Sequence, residues 1–382
     1  MNGCPSQQDR RLCLSASPSS EPSQDPWYTA PEGYEDAAPG TILRVRPTSE
    51  SLAAAAGTNA SSVYNILYRT TDTFGDPSFA VTTLFVPSNP ARDGRTRLLS
   101  YHVPYNTVNL DYSPSYTLET DFNATFVDIR PSLGLGWFVS VPDFEGHDTS
   151  LSVSVENGYV TLDSLRAVLR AGNGLEKERT RIALWGFSGG STPSDFAAEL
   201  LPYYAPEIKI SGMAIGGVVY REVQAYLEAN LKSSGPYNMT TFRSAAKMRT
   251  FEAYAAFANQ TIGNYFVTGD DWLYAPELKQ AIEYNWQMGS VSTPRTAIFV
   301  YKAIHDGVSP VEDTDRVVQR YCVEGANILY ERNVVGGHED EYINGNARAW
   351  AWLVSVLEGR YEETYNPVEC TIRNVSVNTR NP

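Results

Sequence analysis

Apolar residues in this chain fall in short runs, cut off by proline and glycine, that give way to stretches of helical spacing. Residues 42–46, 62–69 and 79–86 each read as a strand, the last stopped by Pro87. Residues 98–103, closed by Pro104, and 136–141, closed by Pro142, read the same way. The period then changes. Val160, Leu162, Leu165, Val168 and Leu169 fall on one helical face and predict a helix over 160–170. Further on, the pattern predicts strands over 181–187, 208–215, 297–304 and 327–332. Between them it predicts helices over 192–201, 311–323 and 340–357. This alternation of strand and helix predicts an α/β domain with a mostly parallel central sheet flanked by helices.

Residues 218–294 break the rhythm. They read as helical, show no clear strand and are rich in aromatics such as Tyr220, Phe242, Phe257, Phe266 and Trp286. Inserted between two parts of the sheet, they read as a helical cap over the mouth of a site. A helical subdomain with its own aromatic core is the plainer alternative. Residues 1–24 are polar, rich in Ser, Pro and Gln, and read as a disordered tail. The expected organisation is therefore a tail (1–24), a core (25–217), a cap (218–294) and the rest of the core with a C-terminal tail (295–382).

One segment carries chemistry. The apolar run from Arg181 ends in Gly186-Phe187-Ser188-Gly189-Gly190, a G-x-S-x-G placed between a strand and a helix. That order is a nucleophile elbow: a buried strand delivers the serine to a sharp turn, and a helix carries the chain away. Small neighbours leave room for the strained turn. The backbone N–H of Gly189 can then face a developing oxyanion. Without chemistry, the same letters would be a glycine-rich turn.

A serine hydroxyl needs a base, and the base needs an oriented carboxylate. Only four histidines exist: His102, His147, His305 and His338. The order serine, acid, histidine leaves His305 and His338. His305 has no strand-end acid ahead of it. His338 follows a strand in the glycine-rich run Val334-Val335-Gly336-Gly337, so it is the expected base. Asp306, just past the strand over 297–304, is the expected acid, with Asp313 a distant second. The second oxyanion donor belongs in the loop after residues 98–103, from the N–H of Asn106 or Tyr105.

Composition narrows the class. The 382 residues carry a formal net charge of −14, and Lys and Arg form no run, so nucleic acid and anionic lipid are not expected partners. No apolar stretch is long enough to cross a membrane as a helix. The first residues lack the apolar region of a signal peptide. Five N-x-S/T sequons, at Asn59, Asn123, Asn238, Asn259 and Asn374, lean toward the secretory route. No pattern for a metal or a nucleotide cofactor is present. Of the four cysteines, Cys322 and Cys370 would clip the C-terminal tail to the core if bonded; free buried thiols are the alternative.

The chain resembles the fungal secretory lipase family of α/β-hydrolases. The likeness rests on residues 25–31, 68–72, 111–116, 142–146, 186–190 and 322–328. It implies the α/β-hydrolase fold with an inserted cap, and it puts Asp306 and His338 at the acid and base positions. It also implies the Cys322–Cys370 disulfide. Three departures stand out. Asn106 replaces an aspartate in the oxyanion loop, Tyr112 replaces a cysteine, and the segment between Ser188 and Asp306 is short, without the apolar part of the cap. Ester chemistry is therefore better supported than long-chain triglyceride as substrate.

The expectation is a serine hydrolase of carboxylic esters. It uses Ser188, His338 and Asp306, with Gly189 and Asn106 at the oxyanion, no cofactor, and a small-molecule or lipid ester as partner. Its location is extracellular, or cytoplasmic if the chain serves biosynthesis. Two alternatives remain: an acyltransferase or lactone-forming cyclase using the same triad, and a non-catalytic binding module.

Overall fold

The computed structural model describes residues 20–91, 93–120, 122–151, 153–218, 231–245, 248, 250–274, 288–365 and 370–379. Its strands are β1 (Ile42–Pro47), β2 (Ala60–Thr71), β3 (Pro77–Pro87), β4 (Thr96–His102), β5 (Phe138–Pro142), β6 (Thr180–Phe187), β7 (Ile210–Gly216), β8 (Ala297–Ala303), β9 (Ile328–Asn333) and β10 (Thr371–Val375). They form one sheet in the order β1-β2-β3-β5-β4-β6-β7-β8-β9-β10. The first three pairings are antiparallel, and all pairings from β5 to β10 are parallel. This is the mostly parallel α/β sheet that the alternating pattern predicts.

The helices are α1 (Glu50–Ala56), α2 (Pro114–Thr120), α3 (Phe122–Gly134), α4 (Ser154–Arg170), α5 (Ser191–Tyr204), α6 (Met239–Ser244), α7 (Thr250–Ala256), α8 (Val311–Val323), α9 (His338–Glu358) and α10 (Tyr361–Tyr365). On one face of the sheet, Leu165 of α4, Phe196 of α5 and Val318 of α8 pack on Leu184 and Val300. On the other, Leu52 of α1, Leu133 of α3 and Trp352 of α9 pack on Trp185 and Phe299. Covered on both faces, β8 is buried at every position, as central parallel strands are. Each fully buried large side chain contributes about 1.5–3 kcal/mol, so these two layers dominate the stability of the fold.

Several boundaries differ from the sequence expectation, for physical reasons. Helix α4 starts at Ser154 rather than near 160, running through Asn157 and Gly158, both poor helix formers. Gly158 is where α4 and α5 touch: a Cβ there would lie 2.9 Å from the Phe196 backbone and 2.7 Å from Leu200. Close packing sets that residue, and packing outweighs its low propensity. Helices α1, α2 and α3 and strand β10 carried no recognised signal. β10 lies exposed at the sheet edge, so it has no buried face to give a period. It is held by parallel pairing with β9 and by the disulfide Cys322–Cys370, whose Cα atoms are 5.5 Å apart.

The expected tail over 1–24 lies outside the described residues up to residue 19. Pro22–Gln24 form a turn of 3₁₀ helix, and Ser23 donates from its N–H and hydroxyl to Asp111 at 2.7 and 2.9 Å. Cys4 and Cys13 fall outside the described residues. Of the expected cap, so do residues 219–230, 246, 247, 249 and 275–287. The described part holds α6, α7, 3₁₀ turns and a single antiparallel bridge between Leu231 and Phe266. Phe242, Phe257 and Tyr237 ring the buried Tyr265, a small aromatic core of its own.

Candidate active site

Strand β6 ends at Phe187 in extended backbone, and Ser188 turns sharply with φ of 53°. A left-handed serine is uncommon and stays so only where its surroundings impose it. Here they do. A Cβ on Gly186 would strike the Gly190 carbonyl, and one on Gly190 would strike the His102 carbonyl. The Ser191 hydroxyl donates to the Ser188 carbonyl at 2.6 Å and closes the turn. Helix α5 then begins without a side-chain cap, so its first N–H groups and its positive dipole end face the serine side of the turn.

His338 is the first residue of α9 rather than part of the loop ahead of it. Its Nε2 lies 2.9 Å from Ser188 Oγ, and its Nδ1 lies 2.7 Å from Asp306 Oδ2. Asp306 Oδ1 accepts the N–H groups of Val308 and Ser309 at 2.8 and 2.9 Å. Burial pushes the Asp306 carboxyl up. The bonds from His338, Lys302 and the Ser309 N–H outweigh it and hold the group well below the usual carboxylate range. The imidazole packs against Phe187, ring centroids 5.0 Å apart. Gly217, at φ of 53°, runs beside it: a Cβ there would come within 2.9 Å of His338 Cε1.

The loop after β4 reaches the same turn. Asn106, at φ of 41°, lays its side-chain amide against Gly189, where a Cβ would collide with it. The loop is tied down by Glu145, which is buried and accepts the Thr107 N–H at 3.2 Å. The Glu145 N–H in turn donates to the Tyr105 hydroxyl at 2.7 Å.

A model of the secretory lipase family matches residues 111–228 and 218–364. A trichothecene C-3 esterase of Fusarium sporotrichioides is 38% identical over 94% of this chain and 88% of its own length. The chain belongs to the secretory lipase family. A probable trichothecene esterase of Stachybotrys chartarum is 35% identical over 93% of this chain and 80% of its own. Candida antarctica lipase A, at 21% identity, superposes with a TM-score of 0.81 over 96% of this chain and 91% of its own, so the fold is that of an α/β-hydrolase. Like its lipase and esterase relatives, this family member is an ester-cleaving serine hydrolase.

The other expected or weighed residues fall elsewhere. Asp313 pairs with Arg316 in the first turn of α8, away from His338. His305 is exposed, and His147 stacks on Phe79 with centroids 4.2 Å apart. His102 is fully buried and serves the elbow. The Ser194 hydroxyl donates to the Gly190 carbonyl at 3.2 Å and so accepts from His102 Nδ1 at 2.6 Å. Burial pushes the His102 imidazole down to about 3 and keeps it neutral. Three residues beside the site went unrecognised: Glu145, Gly217 and Lys302. Only Lys302 left a signal, a lone cation inside the apolar run of β8.

Proposed function

We propose that Ser188 is the nucleophile, His338 its base and Asp306 the residue that orients the base. His338 Nε2 takes the Ser188 hydroxyl proton as Oγ attacks the acyl carbon of an ester. The oxyanion is bound by the Gly189 N–H and a donor of the Asn106 loop. Asp306 stabilises the imidazolium, which then protonates the departing alcohol and leaves an acyl-enzyme. Water, deprotonated by His338, releases the acid and frees Ser188. The observation that carries this reading is the unbroken hydrogen-bonded line from Ser188 Oγ through His338 to Asp306, contributed by the ends of β6, β8 and β9.

The substrate proposed is a trichothecene ester rather than a long-chain triglyceride. Two relatives named trichothecene esterases, at 38% and 35% identity, support this, as does the short cap segment. Export along the secretory route belongs to the same reading. The family points that way, and the sequon residues Asn59, Asn259 and Asn374 are exposed.

The test compares the parent and Ser188→Ala on a trichothecene C-3 ester and on a p-nitrophenyl ester chain-length series, with product analysis. The parent releases free acid, and the variant loses about 10⁴-fold or more in kcat. A variant as fast as the parent would sink the mechanism. A new ester in place of free acid would assign acyl transfer. Faster turnover of long-chain esters would overturn the substrate assignment.

A further inference from the structure

Strand β8 is buried along its whole length, yet its sixth residue is Lys302, with a fully buried side chain. A buried ammonium persists only where partners compensate its lost hydration. Lys302 Nζ lies 2.7 Å from Asp306 Oδ2 and donates to the Val218 carbonyl at 3.0 Å. The same Oδ2 accepts from His338 Nδ1 at 2.7 Å. One carboxylate oxygen thus serves the ammonium and the imidazole together, while the other oxygen is filled by two backbone N–H groups.

We propose that Lys302 is a positioning residue of the triad: by sharing Asp306 Oδ2 with His338, its ammonium fixes the carboxylate and offsets its charge, so that the imidazole is held toward Ser188 and the acid limb of the rate depends on the Lys302 charge. The proposal rests on the reading of Ser188, Asp306 and His338 given above.

A lone carboxylate in contact with an imidazole favours imidazolium, whereas a nearby like charge opposes it. Protonated His338 cannot take the Ser188 proton, so its protonation sets the acid limb of the rate profile. Other charges lie around the pair. Asp313 faces Lys302 from α8 and is bonded to Arg316. Arg332, opposite Lys302 on β9, lies 3.2 Å from Asp315. In the first turn of α9, Asp340 accepts the Gly337 N–H, and Glu341 is bonded to Arg348 and Asn333. Glu339 is the remaining acid of that turn. Lys302 is the cation bonded to the triad acid itself.

The experiment measures the second-order rate of fluorophosphonate inactivation against pH for the parent, Lys302→Met and Lys302→Gln, with mass spectrometry of the labelled peptide. Lys302→Gln keeps an amide donor to Asp306 and removes the charge, so it covers the case in which Lys302→Met does not fold. The expected result is that the acid limb of each folded variant moves up by about one pH unit. A purely structural lysine would lower thermal stability or raise KM and leave that limb in place. An unmoved limb in folded variants that still label at Ser188 overturns the role of Lys302. Absence of label at Ser188 in the parent overturns the triad reading, and this proposal with it.

Discussion

Gly189 lies flush against the side-chain amide of Asn106, so close that a single added methyl group would collide with it. The contact joins the turn after β6 to the loop after β4, both held in left-handed backbone at Ser188 and Asn106. A Gly189→Ala methyl must therefore displace the Asn106 side-chain amide from the elbow. The donors proposed for the oxyanion separate, while the Ser188–His338 pair stays in place. Since such donors act on the transition state, kcat is expected to fall by about 10²–10³-fold with little change in KM. Steady-state kinetics on a p-nitrophenyl ester, beside a melting curve, reads this. Full kcat in a folded variant would place the donors elsewhere.

The elbow was legible because its constraints are local. Gly186, Ser188 and Gly190 sit between an apolar run and a helix, and each neighbour must be small for reasons that act within five residues. That Asp306 and His338 would lie together beside Ser188 was legible by elimination, from chain order and the scarcity of histidine. Contacts between distant segments were not legible. Glu145 stands in a readable loop, but nothing in its sequence surroundings says that it will hold the Thr107 N–H across the sheet edge. Gly158 looks like a helix breaker until α5 is packed against it. Lys302 was visible as an anomaly in an apolar strand, whereas its partner carbonyl at Val218 follows only from the fold.

Stability is expected to rise on mild acidification. Burial pushes Asp143 and Glu156 each up to about 7 and Asp128 up to about 6. In the unfolded chain these groups lose their protons near pH 4. Between those values the folded state holds protons that the unfolded state has released, so stability falls as pH rises. His102 works the other way. It is neutral in the fold and charges in the unfolded chain below about 6.5. From pH 7.5 to 5 that opposes over about 1.5 pH units, against two carboxyls over about two units and a third over about one. Asp306, held low, loses its contribution only as pH falls through its own depressed value, below this window. The melting temperature at pH 5 should therefore exceed that at pH 7.5 by roughly 3 °C or more. Asp143→Asn, which keeps an acceptor for the Ser115 N–H at 2.7 Å, should flatten the difference. A melting temperature that falls steadily from pH 7.5 to 5 would mean that these carboxyls are ionised in the fold.

The disulfide tests how the sheet edge supports His338. Cys322 lies in the last turn of α8 and Cys370 precedes β10, 48 positions further along the chain. Beyond the bond, the C-terminal segment is knitted to the strand that leads to His338. The Val334 N–H donates to the Val375 carbonyl at 2.9 Å. Asn333 accepts the Val377 N–H and donates to the Val377 carbonyl, at 3.1 and 3.0 Å. Cutting the covalent link frees the unfolded chain and should cost about 2–4 kcal/mol. The double variant Cys322→Ser/Cys370→Ser is thus expected to melt lower by roughly 4 °C or more. At 25 °C its kcat should stay within about twofold, because the hydrogen bonds of β10 and Asn333 persist in the native state and hold the His338 turn. Denaturation and kinetics on the same preparation separate the two effects. A large loss of kcat at full folding would show that the bond itself, and not the β9–β10 pairing, sets the position of His338.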